Sequence, residues 1–193
     1  HIVRGRGCRV WDADGNEYIE YGMGNRAVTL GHAFDPVIKA VQAELEKGAN
    51  FVRPGATEVA AAEKFLEFVP NAEMVKLGKD GADATSAAVK VARAHPGRYV
   101  IAICGDHPFF SVDDWFIGTT PIWGGVPEAT KQLTVKFKYN DIDSVKALLA
   151  QYPGQIAGFI MEPTRGADPK DNFLQEVQNL ARADGALSIL DAR

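Results

Sequence analysis

The sequence predicts an α/β fold, a largely parallel sheet with flanking helices, preceded by a small N-terminal β-hairpin and helix element. Three observations lead there. From residue 74 onward, short apolar runs alternate with stretches whose apolar positions recur at helical spacing. Residues 8–21, CRVWDADGNEYIEY, instead alternate apolar and polar side chains around Asp14-Gly15-Asn16, turn chemistry suited to positive φ. Finally, 46% of the 193 residues are hydrophobic and 24% are charged, enough apolar material for a real core.

The elements follow in order. After the hairpin, residues 35–47 place Val37, Ile38, Val41 and Leu45 on one helical face, with Pro36 just inside the start and Gly48 just past the end. Residues 58–68 repeat the pattern with Val59, Ala62, Phe65 and Leu66. Strands are then predicted at 74–77, 99–103, 133–137, 156–161 and 186–190. Helices are predicted at 83–94, 142–151 and 172–182. A long loop, 105–127, rich in aromatics and glycine, interrupts this rhythm. Two parts result: a hairpin and helix element over 1–50 and an α/β domain over 51–193.

Composition narrows the partners. A net charge of −4 without any cationic block argues against a nucleic-acid or anionic-membrane partner. Cys8 and Cys104 lie far apart and belong to no ligand cluster, so two reduced thiols and no metal site are expected. No apolar run is long enough to span a membrane and no signal-peptide pattern is present, which makes a soluble cytoplasmic protein the expectation.

Four stretches carry chemistry. In LGKDGADATSAAVKVARA, 77–94, a glycine-containing turn opens a helix with small residues. Backbone N–H groups and the helix dipole make such a start an anion site. Equally, Asp80 can be a plain N-cap and Asp83 a capping acid. In the 105–127 loop, Phe109, Phe110, Trp115, Phe116 and Trp123 are more than a connection needs, and long ordered loops serve as binding elements or lids. His107 there can face a cofactor ring or lie hydrogen-bonded at the surface, and Asp113 and Asp114 can form a solvated turn. Glu162, in IMEPTRG, ends an apolar run. It can hold a substrate amine or a neighbouring loop, or simply begin a helix-entry loop. Asp191 ends the last run, where α/β sheets build ligand sites.

Read together, RGRGCRVWDADGNEYIEYGMGNRAVTLGHAFDPVIKAV, GKDGADATSAAVKVARA, CGDHP, IMEP and SILD resemble the class III aminotransferases of pyridoxal phosphate (PLP) fold type I. The nearest branch is the glutamate-1-semialdehyde aminomutase-like enzymes. The resemblance runs over essentially the whole chain. It implies a partial PLP-dependent transferase fold, PLP as cofactor, a small-molecule amino donor and acceptor, and a homodimer or higher homo-oligomer. It places Asp80, Gly81 and Ala82 at the cofactor phosphate, Asp106 and His107 beside the ring, Glu162 near cofactor and substrate, and Asp191 at the pyridinium nitrogen. Arg53 falls where a substrate carboxylate approaches, although an exposed loop arginine is the plainer reading.

The departures are specific. Asp80 stands where the family carries Ser or Asn, Ala82 lacks the usual hydroxyl, and Asp106 replaces an aromatic residue. Ala192 and Arg193 follow Asp191 where the family has Glu and an apolar residue. The family's Schiff-base lysine lies downstream of the pyridinium aspartate, so no catalytic residue is expected within these 193 residues and the chain is expected to be incomplete. Three readings stay open: a PLP-dependent aminotransferase or aminomutase, a non-catalytic module retaining part of that fold, and a sheet domain binding another phosphorylated ligand at the Gly81 turn.

Overall fold

A computed structural model describes residues 1–25, 27–106, 109–164 and 166–192. The chain divides into two compact units, His1–Glu73 and Met74–Arg193.

In the first unit, β1 (Ile2–Arg6), β2 (Arg9–Asp12) and β3 (Glu17–Ile19) form an antiparallel sheet in that order. The β2–β3 turn is built on one carboxylate. Asp12 Oδ1 accepts the N–H groups of Asp14 and Asn16 at 3.0 and 2.9 Å, and Oδ2 accepts from Asn16 Nδ2 at 3.0 Å and the Tyr18 hydroxyl at 2.9 Å. Gly15 takes φ +87° in this turn, a conformation costly for residues bearing a Cβ. Two helices follow, α1 (Asp35–Leu45) and α2 (Ala56–Phe68). Pro36 fits the first turn of α1, where its missing N–H costs no helical bond. The Gly55 N–H donates to the Glu58 carboxylate at 2.7 Å and caps α2. Because α2 groups with the sheet and α1, this unit runs to residue 73, beyond the boundary at 50 drawn from sequence.

The second unit holds a four-stranded parallel sheet in the order β5-β4-β6-β7: β4 (Val100–Cys104), β5 (Thr134–Phe137), β6 (Ile156–Met161) and β7 (Leu187–Leu190). Its helices are α3 (Gly81–Ala94), α4 (Asp114–Ile117), α5 (Glu128–Lys131), α6 (Ile142–Gln151) and α7 (Phe173–Asp184). Side chains alternate along each strand, so the sheet has two distinct cores. Val100, Ala102, Cys104, Phe159 and Met161 pack with Val145 and Leu148 of α6 and Val177 and Ala181 of α7. Ile101, Ile103 and Ile160 pack on the other face with Val89 and Ala92 of α3 and with Phe110, Trp115 and Phe116. Helices on both faces of a parallel sheet are what the alternating pattern predicted.

Two expectations are corrected. Residues 74–77 are not a strand: they enter no ladder among the described residues, and Met74 and Leu77 remain exposed. An apolar run becomes a strand only where a neighbour takes its backbone N–H and C=O groups, and local sequence does not reveal that neighbour. The 105–127 segment is not a long lid either. Phe110, Trp115 and Phe116 are core residues, and α4 forms within the segment. Burying three aromatic rings fixes a loop far more strongly than a mobile cover would allow.

Candidate cofactor site

Parallel strands put all their carboxyl ends on one edge, and Asp106, Glu162 and Asp191 follow the ends of β4, β6 and β7 there. Met161 pairs with Leu190, and the Asp191 N–H donates to the Met161 carbonyl at 2.9 Å. Glu162 and Asp191 are therefore neighbours in register, each one residue past its strand. Period-two alternation continues from Ile160 to Glu162 and from Ile189 to Asp191, which sets both acids on the α3 side of the sheet. Glu162 is buried, with 5% of its surface exposed, an unusual state for a carboxylate outside a built site.

Helix α3 begins at the same edge. It runs back toward the start of β4, and the hydroxyl of Thr85 in its second turn donates to the Phe110 carbonyl, beyond the end of β4, at 2.8 Å. Asp80 is the N-cap: its Oδ1 accepts the Asp83 N–H at 3.0 Å, while Asp83 Oδ2 accepts the Lys79 N–H at 3.3 Å. The plain capping reading of these two acids is thus realised. It leaves the first two helical donors open. Among the described residues no acceptor meets the N–H of Gly81 or Ala82, and a Cβ built on Gly81 would touch nothing within 4 Å. Two unsatisfied amides at a helix start form an anion cradle.

Asp106 Oδ2 accepts the Tyr139 N–H at 2.8 Å, tying the end of β4 to the end of β5. His107 lies outside the described residues. Arg53 is exposed in the segment before α2, in the first unit.

Sequence reasoning missed two groups. The first is a buried set on α3 and the aromatic segment. Trp115 Nε1 donates to Ser86 Oγ at 2.9 Å, the Ser86 and Ser111 hydroxyls lie 3.0 Å apart, and the Asp113 N–H donates to Ser111 Oγ at 3.1 Å. The second lies just after β5. The Tyr139 hydroxyl donates to the Pro163 carbonyl at 2.7 Å, and Asn140 accepts the Lys170 N–H at 2.9 Å while donating to the Asp168 carbonyl at 3.0 Å. Burial, then the nearby Cys104 and Asp168, raises the Tyr139 phenol above its ordinary value and keeps the hydroxyl a donor. The only sequence signal for this second group is Tyr139-Asn140-Asp141 following an apolar run. Asn140 takes φ +58°, a region Asn tolerates better than most residues.

Among the described residues, no group of three or more His, Cys, Asp or Glu is placed to hold a metal ion. No described helix is long and apolar enough to cross a membrane.

Comparison with known proteins addresses the family and the fold. The family model for Aminotransferase class-III matches residues 1–107. A glutamate-1-semialdehyde 2,1-aminomutase of Aquifex aeolicus is 38% identical, over 98% of this chain and 48% of that protein. Among solved structures, an omega-transaminase from Sphaerobacter thermophilus superposes with a TM-score of 0.91 at 29% identity, covering 99% of this chain and 48% of the other. A transaminase with PLP bound gives a TM-score of 0.92 at 25% identity, with 99% and 48% covered. The chain spans about half the length of the curated relatives it matches.

Proposed function

The chain belongs to the class III aminotransferase family, and from that premise we propose that it forms the cofactor cradle of a PLP-dependent aminotransferase or aminomutase. One observation carries the reading. The two open amides of α3 and the strand-end acids Glu162 and Asp191 share one sheet edge and one face. The donor set suits PLP at both ends: amides for an anionic phosphate and a carboxylate for a pyridinium nitrogen.

In this reading the Gly81 and Ala82 amides take the phosphate and Asp191 holds a proton on the ring nitrogen. Bound PLP supplies an electron sink for the electrons left when a substrate Cα proton departs. Buried Glu162 presents its carboxylate beside the ring, toward a substrate amine or the loop after β6. The family resemblance assigns His107, which lies outside the described residues, to the flank of the ring. Asp106 lies beside the ring, with its carboxylate held by the Tyr139 amide. Asp80 sits at the phosphate as the helix cap. Arg53 receives a substrate carboxylate. No catalytic residue is assigned within residues 1–193.

The substrates are small-molecule amino donors and acceptors, and the protein works in the cytoplasm. It assembles as a homodimer or higher homo-oligomer. Supporting assembly, neither α1 nor α2 buries a residue, and Val37, Ile38, Val41, Leu45, Val59 and Phe65 stay exposed along them. Exposed apolar faces of this kind mark surfaces against which further protein packs.

The test is titration of the full-length protein with PLP and with pyridoxal, which lacks the phosphate, in wild type and Asp191→Ala. Wild type should prefer PLP by at least about tenfold, and Asp191→Ala should weaken both ligands. Equal affinity for the two ligands in wild type would overturn the reading.

A further inference from the structure

The aromatic segment after β4 is joined to α3 by polar bonds that its packing alone would not need. Trp115 and Phe116 pack edge-to-face at 5.9 Å, and Phe110 and Phe116 at 5.6 Å, so the apolar cluster is complete without a hydroxyl. Yet Thr85, Ser86 and Ser111 are all buried within it. Buried hydroxyls carry a cost unless every one is bonded, and here each takes part in at least one hydrogen bond. The Trp115 indole donates to Ser86, the Ser86 and Ser111 hydroxyls share a hydrogen bond at 3.0 Å, and Ser111 also accepts the Asp113 N–H. Thr85 donates separately to the Phe110 carbonyl. At the other end, the Trp115 carbonyl accepts the Thr134 hydroxyl of β5 at 2.7 Å. Trp115 is therefore bolted to α3 through its ring and to the sheet through its backbone.

This arrangement fixes something that apolar contacts leave loose. Val89 and Ala92 hold α3 against the sheet but tolerate sliding along the helix axis, because dispersion contacts are not directional. A slide of one residue is about 1.5 Å, enough to take the Gly81 and Ala82 amides out of hydrogen-bond range of a fixed acceptor. Hydrogen bonds from Thr85 and Ser86, one turn further along the same helix, resist that slide. We propose that Ser86 and Trp115 are positioning residues that set the axial place of α3 and thereby align the Gly81 and Ala82 amides on the cofactor phosphate. The inference rests on the PLP reading and extends it to residues that touch no cofactor.

Dissociation constants for PLP and for pyridoxal, measured on the full-length protein with the Ser86→Ala and Trp115→Phe variants, test it. Trp115→Phe keeps a ring in the cluster and removes only the indole N–H, so it serves if Ser86→Ala folds poorly. The variants should bind PLP about tenfold more weakly and pyridoxal within about twofold of wild type, erasing the preference for the phosphate. The indole N–H resonance of Trp115 should also move upfield in Ser86→Ala as its acceptor is lost. Variants that keep the wild-type PLP-to-pyridoxal ratio, with or without a lower Tm, would overturn the positioning role and leave the PLP reading standing. A wild type that does not distinguish the two ligands would overturn both.

Discussion

The Tyr139 hydroxyl and the Pro163 carbonyl meet at 2.7 Å, which joins the end of β5 to the residue directly after buried Glu162. Asn140 continues the connection to Asp168 and Lys170, so one short turn holds much of the segment that leaves β6. Tyr139→Phe keeps the ring against Phe173 and removes only the donor. It should cost about 1 kcal/mol in stability, the net worth of one part-buried hydrogen bond. Amide exchange should quicken in residues 163–170 and remain unchanged in α3, as read by hydrogen–deuterium exchange. Uniform quickening across the unit would contradict a local latch.

A second clamp lies at the opposite edge of the sheet. Arg98 Nη1 donates to the Ile156 carbonyl at 2.9 Å and to Asp184 Oδ2 at 2.7 Å, and Nη2 donates to the Asp184 carbonyl at 2.6 Å. One guanidinium thus joins the start of β6 to the last residue of α7. Arg98→Ala strands these acceptors and a half-buried carboxylate, and should cost about 2–4 kcal/mol, seen as a lower Tm. Arg98→Lys should recover only part of this, because a single ammonium cannot reproduce the planar fork. Full recovery by lysine would reduce the clamp to simple charge pairing.

The Asp12 turn gives the first unit a pH dependence. The Asn16 side chain, with the Tyr18 hydroxyl and the Asn16 and Asp14 amides, holds the Asp12 carboxyl below its ordinary value of 3.8. A carboxylate depressed on folding stabilises the folded form above its unfolded value, and that contribution fades as pH falls through the folded value. Thermal unfolding of wild type and Asp12→Ala should differ at pH 6, and the difference should shrink below about pH 4. A gap that persists unchanged to pH 2 would assign the effect to the turn backbone and not to the charge.

How much of this was legible in the sequence depended on how far each feature's partners lie along the chain. Helix α7 could be read because its apolar spacing and the following glycine, Gly185 at φ +82°, are local signals. The strands β4 and β6 were equally plain as apolar runs between turns. Residues 74–77 share that appearance but lack a paired neighbour among the described residues, which no local pattern reveals. The acids at the ends of β6 and β7 could be placed on one edge from topology alone. Their shared face needed the register, Met161 against Leu190. Ser86 and Ser111 could not be matched in advance, since a serine in an alanine-rich helix reads as a small spacer until its partner from the next loop arrives. The bond between the Asp106 carboxylate and the Tyr139 amide could not be read in advance either, because it joins residues 33 positions apart.

The cap of α3 carries the sharpest consequence for the proposed cofactor. Asp80 spends its carboxylate on the Asp83 amide, yet it remains an anion beside the two amides offered to a phosphate. Two negative groups at one helix start compete for the same partial positive charge. Replacing Asp80 by Asn preserves an effective cap, since both residues accept from the N3 amide, and should change stability by no more than ~0.5 kcal/mol. It removes one like charge from the phosphate environment, and PLP affinity should rise by about three- to tenfold. Pyridoxal, lacking the phosphate, should bind Asp80→Asn and wild type alike, and raised salt should narrow the gap for PLP. An unchanged PLP affinity would mean that the Asp80 charge is fully spent on the helix. A weaker one would mean that the phosphate depends on the cap for the shape of the turn more than it suffers from its charge.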